Sequence, residues 1–286
     1  MGAAALVAAC GGESGGTLDT AESAALADLD GDLQIVKRFA PTGTVPGTVR
    51  LPVSLADASG ILGNDGTRTF PSSITASAVD ATTGETVFSG VAAKRRGDDL
   101  SVPYWAIVAE VTKTGIYVLR IDEAPSAEVS FEVEDPGVVS MPVPGRALAP
   151  FDTPTTDDPR GVSPICTRSE GTCPFHEVTL ASALAAKLPV VYLVGTPAHC
   201  STGTCAPALD SLIDVARSYS GRATFVHADV YADEDATTVA PAVTALKMEF
   251  EPALFVTDAR GVVTSRLDVV FDAEEIRGAL ATAGLV

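Results

Sequence analysis

PVVYLVGTPAHCSTGTC, residues 189–205, decides how the second half of this chain is read. Its opening, residues 189–196, is a continuous apolar run of strand length, the pattern of a strand covered on both faces. Its close places two cysteines ahead of a helical stripe formed by Cys205, Leu209, Leu212, Ile213 and Ala216. Cysteines five residues apart cannot both sit on one helical turn. Cys200 is therefore expected in the loop, and Cys205 in the first turn of a helix beginning near Gly203 or Thr204. The flanking segments alternate in the same way. A short helix begun by Thr179 spans 178–187, and a strand spans 223–230. A helix carries Val239, Val243 and Leu246, and strands 252–257 and 262–270 are joined by Asp258-Ala259-Arg260-Gly261. The last helix carries Ile276 and Leu280. From the strand at 189 onward the order is β-α-β-α-β-β-α, which predicts an α/β domain over 178–286.

Toward the amino end the pattern changes twice. Eight prolines between Pro136 and Pro174 forbid regular helix or central strand, so residues 136–177 are expected to be an extended linker between domains. Residues 33–135 follow period two. Val49, Leu51, Val53 and Leu55 oppose Arg50, Pro52, Ser54 and Ala56, and the alternation recurs at Tyr117, Leu119, Ile121 and at Val129, Phe131, Val133. About seven such runs separated by turn residues predict an all-β sandwich with one wet face, immunoglobulin-like in shape. It contains no cysteine, so it lacks an inter-sheet disulfide, and Trp105 is expected as a core or rim aromatic. The cluster Lys94-Arg95-Arg96 beside Gly97-Asp98-Asp99 reads as a turn.

With 19 Lys+Arg against 37 Asp+Glu the net charge is -18, and no basic stripe exists, which argues against nucleic acid as a partner. Within residues 1–32, Val7-Ala8-Ala9-Cys10 resembles the lipobox of bacterial lipoproteins. That resemblance implies a lipid on Cys10, a disordered polar tether after it, and an extracytoplasmic place in the cell envelope. The apolar run before Cys10 is shorter than a usual signal peptide and lacks a charged start, as a start codon placed too far downstream would produce. No later stretch supplies the roughly 20 apolar residues of a membrane span.

Three segments carry a second resemblance. Residues 189–205, FEPALFVTDARGVVTSRLD at 250–268, and Asp229 in FVHADVYAD resemble, in that order, the hallmarks of the thioredoxin family. The resemblance covers 178–286 and implies a thioredoxin-like fold in which Pro252 is a cis-proline beside Cys200 and Cys205. Glu251 and Pro252 would then bind an extended peptide substrate. Three departures stand out. The motif is C-x4-C rather than C-x2-C, His199 replaces the usual tryptophan, and the strand before the cysteines carries no buried carboxylate. Glu251 also puts a negative charge near the thiols, where it would raise a thiolate pKa.

A reactive thiol needs its thiolate, which a helix N-terminus and a nearby imidazolium favour. Cys200, with His199 adjacent, is the expected nucleophile, and Cys205 is the expected resolving partner. The function expected is a thiol-disulfide oxidoreductase acting on exported protein thiols or disulfides, with no cofactor or resident metal. The alternatives are a non-catalytic binding module, in which Cys200 and Cys205 form a static bridge, and a copper carrier. Cys166 and Cys173, in ICTRSEGTCPFH, are expected to form a separate structural disulfide. A relay with Cys200 and Cys205, or a soft-metal site completed by His176 or His199, is the other reading. Cys173-Pro174 resembles the copper chaperones of the Sco type, although it lies outside the thioredoxin-motif loop. His227 reads as a hydrogen-bonded structural histidine.

Overall fold

The alternation at Val49 to Leu55 builds the strand on which the first half turns. The computed structural model describes residues 33–66 and 68–285; residues 1–32, with Cys10, lie outside the described residues. Eight strands make one antiparallel sheet: β1 (Gln34–Lys37), β2 (Gly47–Asp57), β3 (Gly60–Ile61), β4 (Ser73–Asp80), β5 (Thr86–Arg96), β6 (Tyr104–Val111), β7 (Gly115–Ile121) and β8 (Ala124–Val133). The order is β1-β2-β6-β5-β4-β7-β8, with β3 on β2, and β1 lies close to β8. The sheet is thus nearly closed and barrel-like, which differs from the immunoglobulin-like sandwich expected. The reason is β5. Its register against β4 breaks between Ala76 and Ala78, where Gly90 takes a positive φ of 62°, and its end pairs with β6 through Arg95 and Arg96. A bulged, bent strand carries the ladder from one layer into the other. Trp105, fully buried, packs in the core inside with Leu51, Ile107 and Leu119.

The second half follows the expected order. After α1 (Leu180–Ala185) come β9 (Val190–Val194), α2 (Cys205–Ala216), β10 (Thr224–Ala228), α3 (Pro241–Leu246), β11 (Ala253–Thr257), β12 (Val263–Asp268) and α4 (Ala273–Thr282). Thr179 caps α1 by accepting from Ser182 N. The mixed sheet runs β10-β9-β11-β12, with β10 parallel to β9 and β11 antiparallel to both its neighbours. Val191 and Leu193 face the core shared with α2 and α4, while Val190, Tyr192 and Val194 face the core shared with α1 and α3. Covering on both faces explains the unbroken apolar run of β9.

The proline-rich segment, expected as an extended linker, is packed against the second sheet. It holds no helix or strand between β8 and α1, yet Val139, Met141, Val143 and Leu148 are buried against Tyr192 and Phe255. Gly145 N donates to Val263 O, Val263 N to Arg146 O and Leu148 N to Gly261 O, each at 2.8 Å. Proline removes ladder donors without preventing burial, so the segment lies as a strap across the β11–β12 hairpin.

The halves are also pinned to one another. Asp272 caps α4, and Glu274 and Glu275 fill its first turn, where the helix dipole favours carboxylates. Arg50 meets Glu275 through two bonds of 2.7 and 2.8 Å and donates to Val270 O at 2.6 Å. Arg96 meets Asp272 at 2.8 Å, Lys94 meets Glu274, and Tyr104 Oη donates to Glu275 at 2.7 Å. The outer face of β2, expected to be wet, is therefore covered at Arg50, and Ser54 is buried with its hydroxyl on Pro103 O. Lys94 and Arg96 belong to the end of β5 rather than to a turn.

Candidate functional site

Cys205 opens α2 and Thr204 is its cap residue, but no side-chain oxygen caps the helix. The Cys200 sulfur does so instead, accepting the Cys205 N–H at 3.3 Å. Gly203, at φ +66°, turns the loop back far enough for that contact. The Thr202 hydroxyl lies 3.2 Å from the same sulfur and is itself held by Thr204 at 2.7 Å. Cys200 is half-buried and Cys205 is fully buried.

These contacts split the two thiols. The neighbouring Cys205 thiol, with the Thr202 hydroxyl and the N–H groups of Cys205 and Thr204, brings Cys200 down to about 4 against the effect of burial. Cys205 moves the other way, well above the ordinary thiol range, because the Cys200 sulfur beside it favours its protonated form, it is buried, and it faces the charge of Glu251. One thiol is thus a thiolate at neutral pH and the other keeps its proton.

Glu251 is the residue whose part the sequence missed. Its Oε2 accepts Thr196 N at 2.7 Å and lies 3.4 Å from Cys205 Sγ. Burial raises its pKa, the Cys200 charge adds to that, and the Thr196 N–H opposes it. The residue before Pro252 thus brings a carboxylate against the buried thiol. The Glu251-Pro252 bond is cis. Gly195, at the end of β9, lets this loop close in: a Cβ there would stand 3.0 Å from Pro252 Cβ and 3.4 Å from Cys205 Sγ.

His199 does not fill the expected place. It is exposed, with its ring edge-on to Tyr231 at 6.0 Å, and no hydrogen bond from it reaches Cys200 among the described residues. Arg38 is buried, which lowers its pKa, and the Cys200 thiolate is the strongest opposing influence on it. Beside the Cys200 loop runs a groove of about 410 Å³, floored by Val230, Tyr231, Val243, Met248 and Phe250 and reaching Glu251.

Cys166 and Cys173 lie apart from this site. All four described cysteines are free thiols in this structure, and the two sulfurs of each pair lie close together. Cys166 and Cys173 are buried beside His176 and His227. Asp229 accepts Thr167 N at 3.0 Å and stands 3.5 Å from His227 Nε2.

Protein-family models give no match to the chain, and neither do curated proteins. Among solved structures the chain is similar to a thiol:disulfide interchange protein, a thioredoxin family protein from Chlorobium tepidum TLS. The likeness has 14% identity and a TM-score of 0.35, and it covers 51% of this chain and 99% of that one.

Proposed function

We propose that residues 178–286 are a thioredoxin-like unit and that the chain exchanges thiols and disulfides through Cys200 and Cys205. The observation that carries this reading is the Cys200 sulfur seated on the first N–H of α2, with protonated Cys205 between it and the Glu251 carboxylate. Nucleophile, resolving thiol and proton acceptor are then within contact of one another.

In the reductive direction the Cys200 thiolate attacks one sulfur of a partner disulfide. The partner's S–S bond breaks, a mixed disulfide to Cys200 forms, and the first partner thiolate leaves and takes a proton from water. Cys205 then gives its proton to Glu251 and attacks Cys200 Sγ. The mixed disulfide breaks, the second partner thiolate leaves, and Cys200 and Cys205 end bridged. Two electrons pass to the partner, and the reverse sequence oxidises a dithiol. The groove beside Tyr231, which reaches Glu251, receives the polypeptide around the partner cysteine. On the same reading the partners are exported proteins, and the chain works outside the cytoplasm, tethered through a lipid on Cys10.

Exchange with a disulfide-bearing peptide, followed by trapping and mass spectrometry, tests this. Cys205→Ser is expected to accumulate a mixed disulfide through Cys200, and Cys200→Ser to abolish exchange. If the wild-type pair, once oxidised, stays bridged until the protein is denatured, the pair is a static staple and the reading fails. Loss of fatty-acid labelling in Cys10→Ser tests the tether separately.

A further inference from the structure

Four side chains outside the thiol site converge on one point. Cys166, Cys173 and His176 come from the strap, spaced C-x6-C-x2-H, and His227 comes from β10. Their two sulfurs and one nitrogen from each ring all lie within 4.8 Å of one another. All four are buried, at 7, 3, 1 and 0% exposure.

The spacing and the ring orientation both suit coordination. His227 Nδ1 is 3.4 Å from Cys173 Sγ and 3.2 Å from His176 Nε2. Ligand atoms of a tetrahedral zinc, with Zn–S of about 2.3 Å and Zn–N of about 2.0–2.1 Å, stand roughly 3.3–3.8 Å apart. The far nitrogen of His227 is 2.9 Å from Gly195 O, a group that can only accept. The hydrogen therefore sits on Nε2, and Nδ1 turns a lone pair toward Cys173 and His176. A backbone carbonyl that fixes the tautomer in this way is the usual support of a ligating histidine.

We propose that Cys166, Cys173, His176 and His227 bind one zinc ion as a closed structural centre. Two thiolates and two neutral imidazoles balance its charge, so the buried site is neutral. Four protein ligands leave no open position, which separates this centre from the chemistry at Cys200. An S2N2 tetrahedron suits zinc better than copper(I), which two thiolates alone would satisfy. The ion ties residues 166–176 to β10, whose His227 N already donates to Phe175 O at 3.1 Å.

The test is the metal content of the full chain, purified without chelator, together with cobalt(II) titration of the metal-free protein. About one zinc per chain is expected. It should persist in Cys200→Ser and be lost from Cys166→Ser and from His227→Gln. Cobalt should give a thiolate charge-transfer band and intense tetrahedral d–d bands with a one-to-one endpoint. Where a variant does not fold, the cobalt endpoint of the unaltered chain decides. A Cys166–Cys173 disulfide in protein prepared with zinc present, a metal that follows Cys200, or copper(I) bound in preference to zinc would each overturn the assignment.

Discussion

The two cysteine clusters of this molecule contain the same functional group in opposite surroundings. At Cys200 the sulfur is half-buried, capped by the N–H groups at the start of α2, and paired with a thiol that leans on a carboxylate. At Cys166 and Cys173 the sulfurs are buried beside one another and beside two imidazoles. A sulfur that accepts hydrogen bonds yet stays reachable is a nucleophile, whereas a sulfur shut in with lone pairs aimed at a common centre is a ligand. Position in the fold, not cysteine count or spacing, separates the two.

The largest expected effect that would break this contrast is in alkylation. In the reduced protein at pH 6, Cys200 should react with iodoacetamide on the order of 10² times faster than Cys205, since an ordinary thiol is under about 1% ionised there. Because the Cys200 pKa is lowered, its rate should hold as pH falls and reach half its plateau near about 4. An inflection at 8 to 9 would mean that the α2 N–H groups do not activate it.

Next in size is Glu251→Gln, which removes the proton acceptor from Cys205 while keeping its shape. Decay of the mixed disulfide should slow by roughly 10²-fold, the scale of a lost general base, while Cys200 alkylation stays within a few-fold. Since burial raises the Glu251 pKa, decay in the unaltered protein should fall off at a pH above the usual carboxylate range. Equal slowing of both steps, followed by stopped-flow trapping, would make Glu251 a packing residue only.

Gly195→Ala probes whether the clusters are independent. The new methyl would meet Pro252 and Cys205 on one side, while the Gly195 carbonyl holds His227 on the other. Overpacking of this kind costs about 1–3 kcal/mol, read from the denaturant midpoint of the reduced protein. Altered alkylation of Cys200 together with an altered cobalt spectrum would mean that the clusters share a joint; a change in one alone would separate them. The smallest effect is the control. Lys94→Ala breaks an exposed pair with Glu274, at 55 and 60% exposure, and should cost below about 1 kcal/mol and change neither cluster.

What the sequence disclosed follows from locality. The apolar run of β9, the stripe of α2 and the Glu251-Pro252 pair are read within a few residues, and the loop position of Cys200 follows from spacing alone. The strap has no periodicity because it is held by side chains meeting a distant sheet, so its prolines read as a boundary. Arg50 reads as wet because its partner Glu275 lies in the last helix. Glu251 was legible as a charge near the thiols but not as the partner of Cys205, which depends on how the loop closes over Gly195. His227 lies far from Cys173 in sequence, and only the C-x6-C-x2-H spacing at 166–176 offered a local sign of the buried cluster.

The strap also has a consequence in time. Chains are made from the amino end at roughly 5–20 residues per second, and about 120 residues separate Gly145 from its partner Val263. Val139, Met141 and Val143 therefore leave the ribosome many seconds before the hairpin that buries them exists. An apolar segment waiting that long invites pairing with neighbouring chains, but this one is interrupted by Pro136, Pro142, Pro144 and Pro150 and presents no continuous row of N–H donors. The prolines that disguise the strap as a linker keep it unattached until its own sheet arrives.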